Sequence, residues 1–145
     1  MPSKLPKLYG HYRLISLINS GGMGDIFLAK DTQLQRSVAI KLLRSNNPHN
    51  PSIRPALENS IEEGRILAKL SHPNIVQVFD VVDSEDDAGF VMEYIDGQNL
   101  ADLPKHKLSF DDKLAMLTQI AEGLAAAHKQ DIIHCDIKPA NIIIG

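Results

Sequence analysis

The sequence contains no tryptophan and a single cysteine, Cys135. One cysteine excludes an internal disulfide framework, and the cytosol becomes the default compartment. No apolar run approaches the roughly 18 residues that mark a membrane-spanning helix. The N-terminal stretch MPSKLPKLYGHYRL lacks the apolar core of a secretory signal. Basic residues are not in excess: 15 Lys and Arg face 18 Asp and Glu, for a net charge of −3. That balance argues against nucleic acid as the main partner, which usually leaves a basic stripe. Internal repeats and long low-complexity tracts are missing too. What remains is a chain of 145 residues, 43% hydrophobic and 23% charged, enough for one domain with a real core.

The chain opens on strand signals. YRLISLIN (12–19) reads as a strand, SGGMG (20–24) breaks it, and DIFLAKD (25–31) reads as the returning strand of a hairpin. SVAIKLL (37–43) is a third strand, followed by a loop rich in Asn and Pro at 44–55. From Ala56 to Leu70 the apolar period becomes helical, with Leu57, Ile61, Leu67 and Leu70 recurring. Gly64 interrupts that helix at a cost of roughly 1 kcal/mol against alanine. Residues 72–82 turn at Pro73 into a fourth strand, the acidic tract 83–89 reads as a solvated turn, and FVMEYI (90–95) is a fifth strand. A short helix is expected over 98–103. A long one starts near Phe110, where Ser109 and Asp112 have the form of a capping box. Leu114, Leu117, Ile120, Ala121 and Leu124 form its apolar face, and 142–144 reads as a further strand. A meander followed by helices implies an α+β fold with the helices in a separate layer or lobe.

Several polar groups stand where burial makes them costly. Gly21, Gly22 and Gly24 join two strands; they read either as a tight hairpin turn or as a cradle whose free amides face an anion. Lys41 lies within the apolar run VAIK. It reads either as an edge lysine reaching solvent or as a buried cation that needs a counter-charge. Glu63 shares a helix stripe with Ile66, Leu67 and Leu70 and would supply that charge, or else it is a solvated acid. Near the C-terminal end, IIHCDIKPANIII (132–144) wedges an acid, a base and an amide between isoleucines. Asp136 suits a general base for an attacking hydroxyl. Lys138 suits neutralisation of a moving phosphoryl group, and Asn141 offers an amide oxygen to a hard cation such as Mg²⁺.

These runs together resemble a eukaryotic-like (Hanks-type) protein kinase domain of the bacterial serine/threonine class. The family's signatures read here as NSGGMGDI (19–26), VAIK (38–41), a helix glutamate at Glu63 ahead of HPNIV (72–76), and HCDIKPAN (134–141). VMEYIDG (91–97) resembles the family's strand and hinge. The resemblance runs from about Tyr12 to Gly145. It implies a five-stranded antiparallel sheet with one helix as a small lobe, followed by the first helices and catalytic loop of a large lobe. The domain bounds it implies are an extension over 1–11, a small nucleotide-binding lobe over 12–95, and a hinge with an incomplete large lobe over 96–145.

The resemblance also implies roles. Asn19, Gly21, Gly22 and Gly24 would lie over the phosphates of ATP, and Lys41, positioned by Glu63, would hold the α- and β-phosphates. Met92 would be the gatekeeper, and backbone groups of Glu93 and Ile95 would bond adenine between Ile26, Ala39 and Ile143. Asp136 would be the catalytic base, Lys138 would contact the γ-phosphate, and Asn141 would bind Mg²⁺. The implied partners are ATP and a protein substrate carrying Ser or Thr. The expected localisation is cytoplasmic, with no nucleic acid and no membrane segment in this chain.

Two residues depart from the family pattern: Asn19 stands for the first loop glycine, and Cys135 for the Arg that usually follows His134. The sequence also reaches Gly145 without the family's Asp-Phe-Gly motif. The expectation is a fragment of a serine/threonine kinase, inactive alone, whose helix 110–129 exposes its apolar face. The alternative is a truncated pseudokinase that binds nucleotide or a partner.

Overall fold

A computed structural model describes residues 7–20, 24–43, 54–83, 87–132 and 142–144. The chain divides into two compact units, the first formed by Met1–Lys69 with Gln77–Tyr94, the second by Leu70–Val76 with Ile95–Gly145.

The first unit holds β1 (Leu8–Tyr9), β2 (Tyr12–Ser20), β3 (Gly24–Asp31), β4 (Arg36–Leu43), α1 (Arg54–Ala68), β5 (Val78–Asp83) and β6 (Ala88–Glu93). Its strands form one six-stranded sheet in the order β1-β2-β3-β4-β6-β5, with every pairing antiparallel. Alternation in β3 and β4 decides which face is buried. Phe27, Ala29, Val38, Ile40 and Leu42 point one way and join Tyr9, Tyr12, Leu14, Val82 and Val91 in a single core cluster. The β-branched and aromatic content of these runs fits a pleated, buried surface.

The sheet has six strands where the sequence implies five. The additional strand, β1, lies in the stretch read as an extension. Two residues are too few to show an alternation. The strand exists because Tyr9 is buried in the core, its hydroxyl donates to Asp87, and Lys7 Nζ lies 3.0 Å from the same carboxylate. Further contacts of this kind tie the two ends of the sheet together. Tyr12 donates to Asp80 at 3.1 Å, and the Arg36 guanidinium stacks 4.0 Å from the Phe79 ring centroid. Burial, and then the Asp80 charge, push the Tyr12 phenol up to about 12.

The β3–β4 turn is built on Asp31, whose side chain is 1% exposed. Its carboxylate accepts from the backbone N–H groups of Gln33 and Leu34, both at 3.0 Å. His11 Nε2 at 3.6 Å and Arg36 Nε at 3.8 Å face it as well. The Leu34 hydrogen bond is the main cause that holds this carboxyl below its ordinary value, against the opposing effect of burial.

Between α1 and β5 the chain turns at Pro73, as expected, and the strand that follows begins at Val78. The residues between close on themselves: His72 accepts from Asn74 N–H at its ring Nδ1 (3.0 Å) and from Ile75 N–H at its carbonyl (3.1 Å). Gln77 then donates to the Ala68 carbonyl at the end of α1, 3.1 Å away.

The second unit contains β7 (Gln98–Asn99), α2 (Phe110–Lys129) and β8 (Ile143–Ile144), with β7 and β8 paired antiparallel. The short helix expected over 98–103 is instead this strand followed by a single 3₁₀ turn, Leu100–Asp102, capped by Asn99 Oδ1 accepting from Ala101 N–H at 2.8 Å. The capping box of α2 is present. Ser109 Oγ accepts from Asp112 N–H at 3.0 Å, and Asp112 Oδ2 accepts from Ser109 N–H at 3.2 Å. Along α2, Phe110, Leu114 and Leu117 are exposed, while Gly123 and Ala127 are buried. No helix among the described residues is long and apolar enough to cross a membrane.

Candidate functional site

Strand register gathers residues that the sequence keeps far apart. In β3, β4 and β6, Ile26 pairs with Lys41, and Lys41 with Phe90. One rung further, Leu28 pairs with Ala39, and Ala39 with Met92. Directly paired residues share a face of the sheet, and this face is opposite the core cluster. Lys41 is therefore a half-buried cation with apolar neighbours on both sides of its rung. A strongly hydrated ammonium in that setting is stabilised by an anion brought to it.

Helix α1 packs over the same face. Its Gly64 lies so close to Phe90 that an added Cβ would overlap the ring. Glu63 is thus placed on a helix covering the face that carries Lys41. The Glu63 side chain lies outside the described residues.

The paired ends of β2 and β3 lie beside this rung. Asn19 pairs with Ile26, and its Oδ1 accepts from Ser20 N–H at 2.8 Å. Ser20 Oγ donates to Asp25 at 2.6 Å, which ties the two strand ends together. Gly24 starts β3, and a Cβ there would run into the Leu42 carbonyl oxygen, so only glycine allows this approach of β3 to β4. Gly21 and Gly22 lie outside the described residues.

At the far end of β6, the Glu93 N–H donates to the Gln77 carbonyl at 2.8 Å, and Glu93 Oε1 accepts from Gln77 N–H at 3.2 Å. The Glu93 amide is thus a ladder donor in this state. In the second unit, Ile95 is half-buried in irregular chain, and Ile143 pairs with Asn99 in β8. Asp136, Lys138 and Asn141 fall outside the described residues, as does Cys135. Among the described residues no cluster of three or more His, Cys, Asp or Glu side chains could hold a metal. The donor read from the sequence, the Asn141 amide oxygen, is a hard oxygen ligand of the kind Mg²⁺ takes.

The fold therefore brings together Asn19, Ile26, Ala39, Lys41 and Met92 on one sheet. It adds Leu28 and Phe90, which the sequence reading left out. Alternation from Ile26 and Met92 was the signal that could have found both. Ile18 was also missed. It is the extra residue of a β-bulge between Leu17 and Asn19 and is 48% exposed. A bulge re-aims a side chain, and no alternation rule finds it. A separate cavity of about 550 Å³ between α1 and β5 is lined by Arg65, Lys69, Phe79, Asp80 and Asp83 among others, and by none of the expected site residues.

Comparison with known proteins gives one answer. A family model described as "Protein kinase domain" matches residues 12–145. The serine/threonine-protein kinase pkn2 of Myxococcus xanthus is 38% identical over 140 residues, covering 95% of this chain and 16% of that protein. The serine/threonine-protein kinase PrkC of Bacillus subtilis is 35% identical over 143 residues, covering 95% of this chain and 21% of that protein. The chain thus spans about a fifth of the length of these curated relatives. Among solved structures, a PknI kinase domain of Mycobacterium tuberculosis superposes with a TM-score of 0.77 at 25% identity, covering 95% of this chain and 56% of that one.

Proposed function

The chain belongs to the protein kinase domain family, and on that premise we propose that it is the nucleotide-binding part of a serine/threonine kinase using Mg-ATP. The observation that carries the reading is the Ile26–Lys41–Phe90 rung beneath α1, the helix that bears Glu63. Lys41 holds the α- and β-phosphates there, and Glu63 keeps its ammonium in place. Ile26 and Ala39 pack on the adenine ring, and the family resemblance alone assigns Ile143 to the same ring. Met92 limits the depth of the site, and backbone groups of Glu93 and Ile95 bond the base. Asn19, Gly21, Gly22 and Gly24 lie over the phosphates.

Asp136 accepts the proton of the attacking hydroxyl, and Lys138 offsets charge on the transferred group. Asn141 holds Mg²⁺, which when bound neutralises the phosphate oxygens. Little covalent chemistry falls to the protein in such a transfer, so positioning of these groups is the main contribution. The Ser/Thr acceptor reading rests on Lys138 within DIKPAN. The supply of ATP assigns the reaction to the cytoplasm.

The 145 residues alone are inactive in phosphoryl transfer on this reading, yet they bind nucleotide. Titration of the chain with Mg²⁺ and a non-hydrolysable ATP analogue tests this. Lys41→Met should weaken binding about tenfold or more, the loss of one charge-assisted phosphate contact. Equal affinity of Lys41→Met and the unmodified chain would overturn the assignment. Asn19 and Cys135 favour a second reading, a pseudokinase that serves as a binding module. A chain extended through the missing motifs would then bind the analogue but show no Mg-dependent phosphoryl transfer.

A further inference from the structure

The family match begins at Tyr12, but the fold begins earlier. Lys7, Leu8 and Tyr9 lie outside the matched region and are nevertheless built into the first unit. Leu8 pairs with Arg13 and Tyr9 with Tyr12, and the Lys7 carbonyl accepts from Leu14 N–H at 2.8 Å. That fixes the segment to one edge of the sheet. Its side chains reach the other half. Tyr9 and Lys7 both engage Asp87, the residue directly before β6, and Lys7 Nζ also lies 5.1 Å from the Tyr9 ring centroid. Asp87 is 5% exposed and Tyr9 8%. A carboxylate so buried is held by its partners, and weakening them lets its segment move toward water.

Strand β6 is the element that Asp87 introduces. It supplies Phe90 beside Lys41, Met92 beside Ala39, and then Glu93. We propose that Lys7–Tyr9 is a strap: its docking on Asp87 positions β6 against β4 and thereby sets the nucleotide affinity of the Lys41 face. Tyr9, Lys7 and Asp87 are positioning residues that touch no part of the nucleotide. The nucleotide half of this inference rests on the function proposed above; the strap half does not. By linkage, a strap that favours nucleotide binding is itself held more firmly when nucleotide is bound.

The test is hydrogen exchange and analogue titration on the full chain. Tyr9→Phe should raise amide exchange in Ala88–Glu93 about tenfold and weaken analogue binding about fivefold, a modest coupling between sites. Asp87→Asn should do the same, and the double variant should add little to either. Saturating analogue should slow exchange in Leu8–Leu14 of the unmodified chain, a response that a passive brace would not give. Exchange that rises only in Leu8–Leu14, with Ala88–Glu93 unchanged, would overturn the strap. If the unmodified chain binds no analogue, the nucleotide reading fails, and exchange in Ala88–Glu93 still decides whether the strap positions β6. Should Tyr9→Phe not fold, Lys7→Met removes the half-exposed partner and reads the same coupling.

Discussion

Replacing Gly64 with alanine should destabilise this protein, although the same change in an open helix stabilises. Alanine gains about 1 kcal/mol over glycine in a helix interior. At Gly64 the added methyl would overlap Cδ1 and Cε1 of Phe90, and Cζ would stand only 3.1 Å away. Overpacking of that kind costs about 1–3 kcal/mol. Subtracting the helix gain leaves a net loss of about 0–2 kcal/mol, and about 1 kcal/mol is the central expectation. A thermodynamic cycle isolates the cause. In a Phe90→Ala background the clashing atoms are gone, and Gly64→Ala should then stabilise by about 1 kcal/mol. Urea denaturation followed by circular dichroism supplies all four free energies. A stabilisation of about 1 kcal/mol by Gly64→Ala in the unmodified background would refute the argument, because it would mean that α1 does not press on Phe90. Phe90 is the rung neighbour of Lys41, so on the proposed function the same variant should also weaken nucleotide binding.

Asp31 has a folded pKa below its ordinary 3.8, so its contribution is present above that value and lost as pH falls through the folded pKa. Asp31→Asn should lower the urea midpoint at neutral pH, and the two proteins should converge in acid. Tyr12 shows the opposite sense: with its phenol raised from 10.0 to about 12, its contribution is full below pH 10 and lost as pH rises through about 12. Titration of phenolate absorbance should therefore show a late component that Tyr12→Phe removes, and an unchanged titration curve in Tyr12→Phe would contradict the Asp80 contact. Ser109→Ala should cost about 1 kcal/mol of α2 stability, seen as faster amide exchange in its first turn; unchanged exchange would mean the capping box carries no weight.

Much of this architecture was legible because it repeats with a short period. The apolar runs DIFLAKD and SVAIKLL, the first set off by glycines, marked β3 and β4, and Ser109 with Asp112 marked the start of α2. The strand β1 was not legible, since its stability comes from Tyr9 and Lys7 meeting Asp87 across a long sequence separation. The start of β5 at Val78 was hidden for a related reason: His72 satisfies backbone groups locally and competes with the ladder. Lys41 stood out as a charge inside an apolar strand. Its neighbour Phe90 did not, because register between distant strands is a tertiary property. Asp136, Lys138 and Asn141 were legible from spacing and remain readings of the sequence.

The two bulges in β2 bear on whether this sheet edge can recruit another chain. Among the described residues, β1 covers β2 only at Tyr12, Arg13 and Leu14. From Ile15 to Asn19 the outer edge of β2 has no partner strand there, and Ile15, Leu17 and Ile18 are all about half exposed. A flat, apolar edge of that length would template pairing with another chain and seed aggregates. The bulges fall within this stretch, between Leu14 and Ser16 and between Leu17 and Asn19. Each inserts an unpaired residue and increases the local twist, so an incoming strand would lose register twice along the edge that β1 leaves open.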